Sequence, residues 1–186
     1  MTYRTSKRAG RLAVMAAGAV SLAACGTNLD TPVADAELLS MDADYVAFGM
    51  RTYVTAKGVR EARIQADTAY IYESESTALL KRMTLVFYDE FGGERATVTG
   101  LAGDWNQESN RMVARGDVVL LVHADSSTIE SPEIYYEPDL DRIWSDSSTV
   151  RTMKDGSVTS GTAFESDMSF ENIVIQNMRG GVRRVF

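Results

Sequence analysis

Residues 62–72 read ARIQADTAYIY, and their alternation decides the fold class. Ile64, Ala66, Tyr70 and Tyr72 are apolar or aromatic, while Arg63, Gln65 and Asp67 occupy positions between them. A period of two belongs to a half-buried β-strand, whose successive side chains point to opposite faces. Residues 118–122 extend the pattern: Val118, Leu120 and Val122 share one face, and Val119, Leu121 and His123 the other. Both faces are largely apolar, which predicts a central strand covered on two sides. In residues 169–176, Phe170 is followed by Ile173 and Ile175 with a change of parity, which predicts a bulge near Asn172.

Outward from these stretches, the chain from Tyr45 alternates Val-, Ile-, Thr-, Tyr- and Phe-rich runs with Gly, Asp, Asn and Ser. Breaks every ten residues or so are the mark of an all-β sandwich, roll or barrel. The turn DEFGGE (89–94) separates 83–88 from 95–101, with Gly92 and Gly93 able to supply positive φ. ESN (108–110) joins Trp105 to 111–115, and KDG (154–156) joins 149–153 to 157–161. Pro32 falls in the N-terminal tether, Pro132 at the start of a strand and Pro138 in a turn, so no proline interrupts a central strand. Residues 73–80 are the one stretch after the tether that could form a short helix.

Aromatic-bearing strands recur as TAYIY (Tyr70), AGDWN (Trp105), PEIYY (Tyr135) and TAFES (Phe164), at intervals of 35, 30 and 29 residues. A unit of about 30 residues used four times implies strands laid rung on rung. Chance recurrence of aromatics in a β protein is the competing explanation.

Composition narrows the function classes. The 186 residues are 45% hydrophobic and 24% charged, enough for one globular domain with a core, and the formal net charge is −7. An acidic chain is a poor partner for nucleic acid, which is bound by neutralising phosphates. One Cys and one His exclude an intramolecular disulfide and a Cys/His metal cluster. A Ser-His-Asp triad could use only His123, in VVLLVHAD, which reads as a strand residue. No cofactor, metal site or catalytic residue is expected.

The N-terminus reads as an address. Residues 1–24 hold Arg4, Lys7, Arg8 and Arg11, no acid, and then 13 apolar or small residues ending Leu22-Ala23-Ala24-Cys25-Gly26. That is the n-region and h-region of a secretory signal, too short for a comfortable membrane span. Small residues before the single cysteine resemble the lipobox of bacterial lipoproteins, in which Cys25 is lipidated and becomes the first mature residue. An uncleaved signal anchor with a chance cysteine is the other reading. Several acyl chains on one residue give stable anchoring. Without residues 1–24, 15 Lys and Arg face 26 Asp and Glu, a net −11 that anionic headgroups would repel. Residues 25–44 are then the lipidated Cys and a polar tether, whose last 19 residues reach about 24 Å as a flexible chain. The domain is expected over 45–182, with a basic tail at 183–186 after Gly180 and Gly181 end the last strand.

Four ordered motifs carry a resemblance. They are RMVARGDV (111–118), IESPEIYY (129–136), IWSDSSTV (143–150) and GTAFESD (161–167). In order and spacing they resemble the LptC-like periplasmic component of the lipopolysaccharide export ABC transporter, in the wider OstA-like, LptA-related superfamily. The likeness runs from about residue 53 to 182. It implies a twisted antiparallel β-jellyroll folded as an open V, with no catalytic residues. It also implies a role carrying lipopolysaccharide from the inner-membrane transporter along a periplasmic bridge. Acyl chains would lie in an apolar groove, for which the candidate lining residues are Ile64, Tyr70, Leu85, Phe87, Val118, Leu120, Ile134, Tyr136, Ile143, Phe170 and Ile173. The same residues could instead fill an ordinary sandwich core.

Unpaired edges supply the expected partners. The resemblance assigns an N-terminal edge at 45–55 to the transporter permease's periplasmic domain and a C-terminal edge at 173–178 to the soluble bridge protein, both by strand addition. Better-known members hold the inner membrane with a transmembrane helix, whereas this sequence points to Cys25. Gly26 rather than Asp after that cysteine would direct a lipoprotein to the outer membrane where the enterobacterial rule applies. Two rivals stand beside the conduit: an outer-membrane-associated assembly lipoprotein that binds protein edges, and a lipocalin-like carrier of a small apolar ligand, which would need a closed barrel.

Overall fold

The structure, a computed structural model, describes residues 42–56 and 58–183. The expected signal segment, Cys25 and most of the tether lie outside the described residues. Twelve strands follow in order: β1 (Tyr45–Ala56), β2 (Val59–Tyr72), β3 (Thr77–Tyr88), β4 (Glu94–Asn106), β5 (Met112–Val122), β6 (Ser127–Glu137), β7 (Arg142–Ser145), β8 (Thr149–Thr152), β9 (Ser157–Gly161), β10 (Ala163–Ser166), β11 (Val174–Gln176) and β12 (Arg179–Arg183). One 3-10 turn, Pro138–Leu140, joins β6 to β7. The all-β, antiparallel expectation is borne out.

Short polar turns make each strand pair with the next. Asp89 shows how: its Oδ1 accepts the N–H groups of Phe91 (2.9 Å) and Gly93 (2.7 Å), while Gly92 takes φ of 84°. Side-chain carboxylates and amides that accept backbone N–H groups fix such turns without any tertiary help. Asn106 and Asp155 do the same for the turns that precede β5 and β9. Residues 73–76 are a turn leading directly into β3, closed by the Ser76 N–H donating to Glu73 at 3.1 Å, so the helix considered for 73–80 does not form.

A crease crosses the whole sheet. The ladders skip Gly49 opposite Asp67, Asp67 opposite Arg82, and Arg82 opposite Leu101, then shift register at Gly116 and Asp117 of β5. Gly49, Arg82, Gly116 and Asp117 all have positive φ, which bends an extended chain. Further along, the crease falls between β7 and β8, between β9 and β10, and between β11 and β12. Each of those pairs is one long run broken at the bend. The result is a meander of nine runs with two leaves. Leaf one is β12–β9–β8 continued by 127–131, 118–122, 94–99, 83–88, 59–66 and 50–56; leaf two is β11–β10–β7 continued by 134–137, 112–115, 102–106, 77–81, 68–72 and 45–48.

The crease also explains the burial pattern. In β3 the interior positions are Ala78 and Leu80 before Arg82, then Met83, Leu85 and Phe87 after it. In β2 they are Ala62, Ile64 and Ala66, then Ala69. The leaves fold face to face over one apolar cluster. Phe87 of leaf one meets Tyr136 of leaf two edge to face, centroids 5.0 Å apart. The four aromatic repeats Tyr70, Trp105, Tyr135 and Phe164 all fall on leaf two, in β2, β4, β6 and β10, so the repeat of about 30 residues is one out-and-back pair of runs.

Four further expectations need correction. Pro132 lies in the middle of β6 rather than at its start. It is tolerated there because β8 pairs with β6 only up to Glu130 and β7 only from Tyr135, which leaves the missing N–H no ladder to break. Residues 118–122 are buried on one face only, since Val119 and Leu121 are half-exposed. Residues 167–173 form a turn-rich loop instead of a bulged strand, and β11 is just Val174–Gln176. Gly180 and Gly181 lie inside β12, which pairs with β9 through a register shift, rather than ending the last strand.

Candidate functional site

The space between the leaves is the candidate site. Its walls come from the inward positions of both leaves, and the crease closes one side. Among the described residues every fully buried polar side chain is a hydroxyl: Ser127, Ser131, Ser145, Thr149 and Ser166. Ser131 and Ser145 satisfy each other at 2.8 Å beside the crease. Charges are kept outside. On the outer face of leaf two Arg115 pairs with Asp104 and approaches Glu133, Arg142 pairs with Glu165 at 2.8 Å, and Tyr135 stacks on Trp144. An interior without formal charge suits hydrocarbon, because an unpaired buried charge is strongly unfavourable.

Nine of the eleven residues expected to line a groove come together here. Ile64, Leu85, Phe87, Val118 and Leu120 face inward from leaf one; Ile134, Tyr136 and Ile143 face inward from leaf two; Phe170 enters from the loop after β10. Ile173 packs half-buried against them. Tyr70 does not join. It is buried outside this cluster, on the face that carries Lys81, whose Nζ sits 5.2 Å from its ring centroid, because the crease reverses parity between Ala66 and Ala69. Alternation missed Leu80, Met83, Val98, Met112, Ile129 and Phe164, which are equally central. Leu80 and Ile129 have parity opposite to that of Leu85 and Ile134 in the same strands, because the crease lies between them.

The leaves touch, so these side chains form a packed core. Opposite the crease, the seam between the leaf ends opens into a cavity of about 180 Å³ lined by Glu61, Phe87, Tyr88, Arg95, Tyr136, Pro138, Asp141 and Met168. Burial, together with the negative charges of Glu61, Asp141 and Asp139, pushes the Tyr136 hydroxyl well above its ordinary pKa.

Both sheet edges are free of neighbours in the described chain. β1 presents twelve residues without proline, and Tyr45 and Phe48 are 56% and 69% exposed. The other edge is β11 with β12, where Val174 and Met178 are 60% and 68% exposed. The hydrogen-bonded order runs from β1 to β11 without rejoining itself, which the closed barrel of a lipocalin-like carrier would require.

A family model described as lipopolysaccharide-assembly, LptC-related matches residues 12–181. This chain belongs to that family. The match spans both the described LptC-related domain and part of the segment that precedes it. No curated protein matches the chain. Among solved structures, a similar one is LptH, the LptA-homologous periplasmic component of the lipopolysaccharide transport device of Pseudomonas aeruginosa. It is 15% identical with a TM-score of 0.49, covering 61% of this LptC-related chain and 80% of LptH.

Proposed function

We propose that this protein is a non-enzymatic conduit that accepts lipopolysaccharide from an inner-membrane ABC transporter and passes it along a periplasmic β-bridge toward the outer membrane. The observation that carries the reading is a charge-free apolar interior between two leaves of an unclosed sheet. Acyl chains enter by parting the leaves at the seam, with the crease as hinge. The exchange replaces apolar contact with apolar contact. Edge β1 pairs with the permease's periplasmic domain, and edge β11–β12 with the soluble bridge protein. Cys25 carries the lipid anchor, and the inner membrane is the leading location, with the outer membrane as the alternative raised by Gly26.

The packed interior favours one rival enough to name it: an assembly lipoprotein that uses only its edges. A photoreactive side chain at Ile134 separates the two. During ATP-driven release by the transporter, the conduit yields a covalent adduct with lipopolysaccharide. An edge-only protein yields none at Ile134 while still crosslinking to protein partners from Phe48 or Val174.

A further inference from the structure

The loop at 167–173 between β10 and β11 is built unlike the other turns. The remaining leaf-two connections within the sheet take four or five residues, whereas this one takes seven and folds inward. Phe170 sits at its tip with φ of 59°, a conformation that bulky side chains rarely adopt, and the residue is only 5% exposed. That ring lies 5.6 Å from Phe87, which in turn meets Tyr136. Phe170 therefore fills the seam where the two leaves end.

The loop holds itself together more firmly than it holds the leaves. Asp167 accepts hydrogen bonds from Ser169 Oγ at 2.6 Å and Asn172 Nδ2 at 2.7 Å, and its carbonyl accepts the Phe170 N–H at 3.2 Å. Ser169 Oγ also accepts the Glu171 N–H. The loop's root is tied to β10 by the Ser166 hydroxyl donating to the Asp167 carbonyl at 2.9 Å. Beyond that root, two hydrogen bonds among the described residues bind it to other turns and strands, both long: Met168 N–H to Asp141 at 3.3 Å and Arg95 Nη1 to the Met168 carbonyl at 3.5 Å. The cavity at the seam lies directly beside it, lined by Met168, Phe87 and Tyr136.

We propose that residues 167–173 are a plug that moves as a unit: Phe170 occupies the entry position of an acyl chain at the seam and swings out when lipid enters. This rests on the conduit reading above. Two features favour displacement over ordinary core packing. The knot around Asp167 survives the motion, and the hydrogen bonds given up, from Met168 to Asp141 and from Arg95 to Met168, are the longest there. The plug continues into β11, so a partner strand added at that edge acts on the segment that gates the interior.

The test uses the full chain carrying a photoreactive leucine analogue at Leu120, mixed with purified lipopolysaccharide. Phe170→Ala is expected to form the Leu120–lipid adduct several-fold faster than the parent, and Arg95→Ala, which removes a tie given up in the motion but keeps the ring, to do so as well. Hydrogen exchange on the unaltered chain gives a readout that does not depend on how the variants fold. Adding lipopolysaccharide should raise exchange at the Met168 amide, whose hydrogen bond to Asp141 is given up, and leave β5 protected. Equal adduct rates in parent and variants, with unchanged exchange at Met168, would overturn the plug while leaving the conduit intact. No adduct from the parent or either variant would overturn the conduit, and the plug with it.

Discussion

Gly161 is where one added methyl group should do the most damage to the C-terminal edge. A Cβ built there falls 2.3 Å from Ile175 Cγ2 and 2.4 Å from the Gln176 carbonyl oxygen. The carbonyl cannot retreat cheaply, because it accepts the Thr162 N–H at 3.0 Å and belongs to the Ala163–Gln176 pair of the β10–β11 ladder. Gly161→Ala must therefore break that hydrogen bond or lift β11 off the leaf. Overpacking against fixed backbone costs about 3 kcal/mol, the upper part of the usual range. Gly103 supplies the control. Its added Cβ would also meet an atom at 2.3 Å, but that atom is Met83 Sδ, on a flexible side chain, with the Val113 carbonyl at 3.2 Å. Gly103→Ala should cost about 1 kcal/mol, since methionine adapts by changing rotamer. In thermal unfolding followed by circular dichroism, these values correspond to drops of about 9 °C and about 3 °C. Hydrogen exchange should show the largest Gly161→Ala loss at 163–165 and 174–176, where the ladder is disrupted. Equal drops for the two variants would refute the reasoning, because they would mean that clash distance alone decides the cost.

Asp117→Gly should stabilise the domain by about 1 kcal/mol in urea unfolding, since an aspartate at φ of 48° on the crease carries strain that glycine does not. At low pH the relevant groups are Asp125 and Asp167. Burial raises each carboxyl, but hydrogen bonds from Ser127 and Arg151 to the first, and from Ser169 and Asn172 to the second, outweigh it and leave both below the ordinary carboxylate range. The folded chain thus binds fewer protons than the unfolded one. Their stabilisation is complete above about pH 4 and is lost as pH falls through the depressed values, so Asp125→Asn should shift the acid transition to higher pH in an acid titration. Tyr136 has the opposite sign. Its pKa is raised, so its contribution holds below about pH 10 and is lost only as pH climbs toward the raised value; phenolate absorbance should show it ionising after the exposed tyrosines, together with unfolding.

Strand content, turn positions and the hairpin period were legible because each is a local property. Asp89, Asn106 and Asp155 carry their turns in their own side chains, and alternation in 62–66 or 118–122 reflects one leaf at a time. The crease was not legible. Arg82 and Asp117 are ordinary polar residues in sequence, and only long-range pairing forces them into positive φ. Because the crease resets the parity of β2 at Asp67, Tyr70 reads as lying on the same face as Ile64 when it faces away. Pro132 misled for the same reason, since its missing N–H is harmless only at a ladder break that the sequence does not display. The alternation in 169–176 comes from a loop that tucks Phe170 inward, a packing event with no local period. Whether a run of aliphatic residues lines a groove or fills a core depends on the distance between two leaves, which no single strand encodes.

Val119 and Leu120 test the central claim most directly. They are adjacent in β5 but face opposite sides of leaf one: Leu120 points into the interior, and Val119 lines the cleft on the outer surface of the crease with Pro132 and Ser148. With a photoreactive residue at each position in turn, ATP-driven lipopolysaccharide release should give a lipid adduct at Leu120 and none at Val119. Adducts at Val119 alone, or at neither position, would contradict transport between the leaves.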